Sequence, residues 1–363
     1  MKILIDIGHP AHVYLYRQFI TEMNRRGHRF WITVKNVASV KHLLECFQIP
    51  YIQIGDKSDL IIRKAVNQLK YDYRLGVIVR KNYIEVGIGS SITIAHVSSM
   101  TKMRSVVFDD DDDAVEPLFA CFAHPFVDFL VSPDVLRGQR RKKSTLYYPG
   151  YHELAYLHPK RFTPDPKVLD EIGVRPGDEY FLLRFNAFKA HHDIGVAGLG
   201  IEEKRKLVRV LSARGKVFIT MERDIDPEFE QYKLRISPEK VHSILSFATM
   251  FIGDSQTMTS EASVLGIPSI RANSFVGRIS YLEEEEHRYG LTYGFRPDQT
   301  NAMFSKIDEL LAMEGLKEEW QRRRRIMLAD KIDVTAFMVW FVENLPKSAK
   351  VMRENPDYQK NFN

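Results

Sequence analysis

The residues best suited to chemistry lie between Met250 and Asn273, in MFIGDSQTMTSEASVLGIPSIRAN. A short apolar run ends at a sharp loop, Gly253-Asp254-Ser255-Gln256, and a helix opens at once. The first amides of a helix have no acceptor within it, and the helix dipole adds partial positive charge there, so this end favours a phosphate. Glu261 lies one turn inside the helix from Gln256 and Thr257, too deep to cap its start. A carboxylate on that side can accept both hydroxyls of a ribose. Gly266 stands where the helix should stop, and Pro268 precedes the next strand.

A second set lies near the N-terminus. His9 and His12 follow the first apolar strand, in Gly8-His9-Pro10-Ala11-His12. An imidazole with a pKa near neutral can act as general base toward a hydroxyl. The expected helix start beside His12 lowers its pKa through the dipole and keeps it a base. Asp6, on the strand, can orient one of the two rings. Gly89, Ser90 and Ser91 open another helix after a strand and form a second cradle for an anion or an acceptor. Asp109 and Asp110 begin an acidic run, Asp109 to Asp113, at a further strand end. Five consecutive carboxylates read as a solvated stretch rather than a metal site, and only the first two are retained as cleft candidates. Glu283 to Glu286 likewise reads as an exposed helix face. Arg322 to Arg325 reads as solvated or lying near a membrane surface.

These positions need a scaffold, and the apolar pattern supplies it. Strands are expected at Lys2 to Ile7, Arg29 to Val34, Ile49 to Ile54, Tyr83 to Val86, Ser105 to Phe108 and Val127 to Val131. Helices between them are expected at Val13 to Arg26, Val37 to Phe47, Leu60 to Val79, Ser91 to Met100 and Val115 to Ala123. After Pro133 the alternation lapses through Arg137 to Pro166. It resumes with strands at Tyr180 to Phe185, Lys216 to Met221, Tyr232 to Ile236, Phe251 to Gly253 and Pro268 to Arg271. The helices there are Ile201 to Arg214, Pro238 to Ala248 and Thr257 to Leu265. Strands alternating with helices make βαβ units and parallel sheets. Two such series predict two α/β domains, residues 1–150 and 151–333. The aromatic helix Val334 to Leu345 is expected to pack back across the junction, with a frayed tail after Lys347.

The chain has 363 residues, suited to two domains. Its 44% hydrophobic and 27% charged content rules out disorder of the whole chain. A net charge of +5 suits an anionic small ligand or an anionic membrane face and does not call for nucleic acid. Cys46 and Cys121 have no metal-ligand or redox spacing and read as small buried hydrophobes. The start carries no signal-peptide pattern and no stretch reaches the length of a membrane span, so a cytoplasmic protein is expected, peripheral to the inner membrane face at most.

The pattern GDS-x-TM-x-x-EA-x-x-LG-x-P resembles the donor-binding helix of GT-B proteins, and with GHPAH (Gly8 to His12), VVFDD (Val106 to Asp110) and YPGYHELAYL (Tyr148 to Leu157) it is similar to the DUF354 family of predicted glycosyltransferases. The resemblance spans nearly the whole chain to about Gly294 and implies a GT-B fold, two Rossmann-like domains with parallel sheets facing across a cleft. It implies a nucleotide-sugar donor, UDP-linked, and a glycan or lipid-linked acceptor in surface-polysaccharide synthesis, with no cofactor and no metal. Glu261 would bind the ribose, and Ser255, Gln256, Thr257 and Met258 the diphosphate, mainly through backbone amides. Arg184, His191, His192 and Asp193 would face the same cleft beyond a strand end. His9 or His12 would deprotonate the acceptor. Many relatives carry paired glycines where this chain has Ser255 and Gln256, so the backbone is less free to approach a diphosphate. Two other readings stand beside the transferase: a sugar-nucleotide 2-epimerase on the same scaffold, and a non-catalytic nucleotide-sugar binding subunit.

Overall fold

The computed structural model describes residues 1–56, 61–185, 198–221 and 226–363, with the side chains of 61–65 left aside. The chain forms two compact units, Met1–Arg161 with Lys331–Asn363, and Phe162–Asp330. The first boundary thus falls at Arg161 rather than residue 150, and the chain re-enters the first unit at Lys331.

The first unit holds seven parallel strands: β1 Lys2–Ile7, β2 Arg29–Asn36, β3 Ile52–Asp56, β4 Val86–Ile88, β5 Arg104–Phe108, β6 Phe129–Pro133 and β7 Leu146–Tyr148, ordered β3-β2-β1-β4-β5-β6-β7. Leu4 and Ile54 of the sheet and Met103 pack in one core cluster with Tyr71, Leu75 and Val79 of the helix Ile61–Asn82 and Ile94 and Val97 of the helix Ile92–Ser99. The fourth strand begins at Val86, not Tyr83, so Gly87 lies inside it and Gly89 just beyond. Gly89 has φ +142°, and a Cβ there would stand 2.5 Å from the Asp6 carbonyl oxygen, so the turn at this strand end excludes a side chain.

The second unit holds five parallel strands: β8 Tyr180–Arg184, β9 Lys216–Thr220, β10 Met250–Gly253, β11 Ser269–Ala272 and β12 Thr292–Phe295, ordered β12-β11-β10-β8-β9. The strand expected at Tyr232 to Ile236 is instead the end of a 3-10 segment, Pro227–Tyr232, with a single bridge from Lys233 to Ile219.

The aromatic helix Val334–Glu343 belongs wholly to the first unit. Phe337 stacks on Tyr148 at 5.3 Å, and Phe341 meets Phe108 and Phe129 edge-on. Asp333 caps the helix by accepting from the Ala336 amide and also accepts from Arg161 Nε at 2.7 Å. The tail is not frayed: Lys347–Glu354 is helical, and Trp340 stacks on Tyr358 at 4.8 Å. No described helix is long and apolar enough to cross a membrane.

Candidate functional site

In the second unit, strands run parallel, so their carboxyl ends share one edge. There Gly253 pairs with Arg184, the last residue of β8, and the Asp254 amide donates to the Arg184 carbonyl at 3.1 Å. A Cβ on Gly253 would come within 2.5 Å of that carbonyl oxygen, which is why glycine stands there. Buried Asn273, after β11, donates its amide to the Asp254 carbonyl at 2.9 Å and accepts from the Phe275 amide. The loop is therefore held from both neighbouring strands.

From it rises the helix Gln256–Leu265. Ser255 is its N-cap, its hydroxyl accepting from the Met258 amide at 3.3 Å. The helix offers no acceptor to the amides of Gln256 and Thr257, and both residues are half-buried rather than sealed. Its far end is closed by Gly266 at φ +72°, and its last carbonyls accept from Arg324 Nε and Gln321 Nε2. Positive charge at the C-terminus stabilises the helix dipole whose other end is open. Arg323 and Arg324 pack against helix-end carbonyls, so half of the arginine run is not solvated as its composition suggested.

Glu261 is buried and lies on the same helix face as Thr257, one turn deeper. Its carboxylate meets His242 Nε2 at 2.8 Å, and His242 packs edge-on against Phe162. A polar group this enclosed is tolerated because a hydrogen-bonding partner satisfies it. The pair fixes the carboxylate's position, as a group that must grip a ligand requires.

Next to this helix lies a charged cluster. Arg271, at the end of β11, is fully buried and meets Glu283 Oε1 at 3.0 Å. Glu285, also fully buried, accepts from the Ser260 hydroxyl at 2.5 Å. Burial pushes its pKa up to about 7, despite the opposing Ser260 and Ser263 hydroxyls and the Arg271 charge. Glu283 to Glu286 is therefore not an exposed face: Glu285 points inward, and Glu286 accepts from the Gly294 amide.

The first unit gathers its own ionisable groups at the carboxyl edge of its sheet. His9 is exposed and caps the helix Pro10–Arg25, its Nδ1 accepting from the Ala11 amide at 3.2 Å. His12 sits in the first turn of that helix, which starts earlier than the expected Val13. Its pKa is lowered to about 3, first by burial, then by His9 and His152, with Asp110 opposing. Burial, rather than the helix dipole, keeps the ring neutral.

Asp110 meets His152 Nδ1 at 3.0 Å. Burial works against its ionisation, but electrostatic attraction and a hydrogen bond to His152, then attraction to His12 in acid where that ring takes up a proton, outweigh it and hold the carboxyl below its usual range. With Nδ1 turned to the carboxylate, His152 keeps its Nε2 buried and without a hydrogen-bond partner among the described residues. A carboxylate that orients an imidazole leaves the far nitrogen as proton acceptor. Tyr16 and Tyr148 border the group, and burial pushes both hydroxyls upward, so they stay protonated.

Asp109 does different work. It meets His124 Nε2 and Arg140 Nη1, each at 3.0 Å, and Arg140 also holds Asp113 at 2.6 Å. Asp109, Asp112 and Asp113 are buried, so the acidic run is not a solvated stretch. Asp109, Asp110 and Asp111 each offer an oxygen within 4.8 Å of the others, as a cation would need, but Arg140 and His124 already balance the first.

The family model described as a protein of unknown function, DUF354, matches residues 1–278. The chain belongs to the DUF354 family. No match to the curated proteins was found. Among solved structures, this DUF354 protein is similar to a putative UDP-N-acetylglucosamine 2-epimerase from Listeria monocytogenes, with TM-score 0.66 and 11% identity over 98% of this chain and 97% of that one. It is similar to UDP-GlcNAc 2-epimerase from Neisseria meningitidis bound to UDP-GlcNAc, with TM-score 0.64 and 10% identity over 95% of this chain and all (100%) of that one. It is also similar to SsfS6, a glycosyltransferase from Streptomyces sp. SF2575, with TM-score 0.61 and 10% identity over 95% and 100% of the two chains. The fold of the DUF354 chain is GT-B, two parallel-sheet α/β units.

Of the residues expected to act, Arg184, Ser255, Gln256, Thr257, Met258 and Glu261 come together on one edge of the DUF354 protein's second unit, with Met258 buried beneath the helix start. His9, His12, Ser90 and Asp110 gather on one edge of the first. Ser91 is spent as an N-cap, accepting from the Ile94 amide, and Ser90 donates to the Phe108 carbonyl. Asp109 is held by His124 and Arg140, and Asp6 accepts from Thr33. His191, His192 and Asp193 lie outside the described residues. Sequence reasoning missed His152 and His242. The YPGYHELAYL motif contained the first, but nothing local tied it to Asp110, 42 positions away.

Proposed function

We propose that this DUF354 protein is a glycosyltransferase that moves a sugar from a nucleoside diphosphate carrier to a hydroxyl acceptor. The observation that carries the reading is the half-open helix start at Ser255-Gln256-Thr257, one turn above the fixed carboxylate of Glu261. Two open amides and a helix dipole suit a diphosphate, and the carboxylate beside them suits ribose hydroxyls. As the sugar departs, charge grows on the diphosphate, and donors already in place lower the barrier without reorganising. Arg184, at the same edge, adds a fixed cation. His152, oriented by Asp110, accepts the acceptor's proton, with His12 as a neutral neighbour. A UDP carrier and a glycan or lipid-linked acceptor are the proposed partners, the lipid-linked case calling for contact with a membrane face.

A second reading, a sugar-nucleotide 2-epimerase, is favoured by the gathering of the ionisable groups His12, His152 and Asp110 in one place, since that chemistry needs an acid/base set around the sugar. A thermal-shift panel of UDP, GDP, CDP, dTDP and CMP tests the shared premise, since a ligand that binds only the folded chain raises its melting temperature. One nucleoside diphosphate should shift the protein, and Glu261→Gln should abolish most of that shift. If no nucleotide shifts it, both enzyme readings fall. Turnover of the matching nucleotide sugar without acceptor would select the epimerase.

A further inference from the structure

The outer helices of the first unit carry an apolar surface that the proposed chemistry does not use. On the helix Ile61–Asn82, Val66, Leu69, Tyr73 and Val77 are all exposed, Leu69 by 71% and Tyr73 by 73%. Spacings of three and four residues align them as one stripe. The core-facing side of the same helix is occupied by Tyr71, Leu75 and Val79, so the stripe is a second apolar face rather than a stray exposed residue.

Segments packed beside the long helix carry further exposed apolar residues. Leu118 and Phe122, four residues apart on the helix Pro117–Phe122, are exposed, as are Phe126 and Met100. His96 joins the two parts: Nδ1 meets Asp72 of the long helix at 2.9 Å, Nε2 lies 3.2 Å from the Phe122 carbonyl, and the ring meets Phe126 edge-on at 5.5 Å. Arg80 Nη2 reaches the Met100 carbonyl.

Exposed cations border it: Lys70, Arg74, Arg80 and Lys81 on the long helix, and Lys102 after Met100. The long helix's carboxylate on this side, Asp72, is buried and already held by His96 and Gln68. Glu116 stands exposed at the Leu118 end. Aromatic and long aliphatic side chains rimmed by lysine and arginine match the interface of a membrane with anionic headgroups, where apolar groups enter the acyl boundary and cations meet the lipid charge. A second copy of the same face would set these cations against one another.

We infer that this face of the first unit docks on an anionic lipid surface. The inference is independent of the reaction performed at the site. It is tested by sedimenting the full chain with vesicles of phosphatidylcholine doped with phosphatidylglycerol, and with vesicles of phosphatidylcholine alone. The chain should pellet with the doped vesicles, be released by salt, and stay in solution with the neutral ones. The triple variant Leu69→Ser, Tyr73→Ser, Phe122→Ser should bind about tenfold more weakly or less. The charge variant Lys70→Glu, Arg80→Glu, Lys81→Glu should lose binding while leaving the apolar stripe intact. Circular dichroism melts and the nucleotide thermal shift, unchanged in both variants, would separate lost docking from lost folding and from any failure of the enzyme reading. Equal binding to neutral vesicles, no binding to either, or a wild-type dimer that the triple variant converts to monomer without any vesicle binding would each overturn the inference.

Discussion

Replacing Glu285 with Gln should remove a pH dependence of stability from the second unit. In the folded chain the carboxyl is fully buried and its pKa is raised from 4.5 to about 7. Below the unfolded value both states are protonated and the group costs nothing. As pH rises, the unfolded chain releases its proton first, while the folded chain keeps it until about pH 7. The wild type therefore loses stability through that window, and the loss is complete once pH exceeds the folded value. At about 1.4 kcal/mol per pH unit, the span from 4.5 to about 7 amounts to about 3 kcal/mol. Gln keeps an oxygen to accept from Ser260 and cannot ionise, and Arg271 retains Glu283. Urea denaturation followed by circular dichroism reads the effect, with hydrogen exchange on peptides of β10 and β11 assigning the transition. The wild type should fall relative to Glu285→Gln by about 3 kcal/mol between about pH 5 and pH 8. Two parallel curves across that range would refute the assignment of a buried, late-ionising carboxyl.

Two further tests address the scaffold of each site. His12 is depressed to about 3 when folded and titrates near 6.5 when unfolded, so its contribution is present above 6.5 and is lost as pH falls toward 3. His12→Gln should flatten the acid side of the stability profile by several kcal/mol, at about 1.4 kcal/mol for each pH unit between 6.5 and about 3, and an unchanged acid limb would argue against it. Gly253→Ala places a Cβ within 2.5 Å of the Arg184 carbonyl oxygen and should cost about 2–3 kcal/mol in a melt, whereas Gly8→Ala, with nothing within 4 Å, should cost under about 0.5 kcal/mol. Equal melting temperatures for the two variants would show that β8 and β10 can separate at no cost.

The elements around the site were legible because their signals are local. A strand, a Gly-Asp-Ser loop and a helix closed by Gly266 lie within seventeen residues, and apolar spacing fixes the rest of the alternation. Short strands left weaker traces: Leu146–Tyr148 and Thr292–Phe295 carry three and four residues, too few for a period. The errors over charge share another cause. Asp109, Asp113 and Glu285 look solvated in a one-dimensional reading because the partners that permit their burial, Arg140, His124, Ser260 and Arg271, are 11 to 31 positions away. Composition carries no record of such partners. His152 and His242 were missed for the same reason: each becomes informative only through the carboxylate that the fold sets beside it.

The return of the chain to its first unit after Asp330 has a consequence for biosynthesis. A nascent chain can finish every strand of that sheet by Tyr148, yet Phe108, Phe129 and Tyr148 wait for Phe337 and Phe341. The half made first is thus the half completed last. The intervening unit, continuous from Phe162 to Asp330, needs no such wait. An early stop codon before Val334 would leave a finished second unit attached to a first one with an oily flank, a ready target for chaperones and proteases.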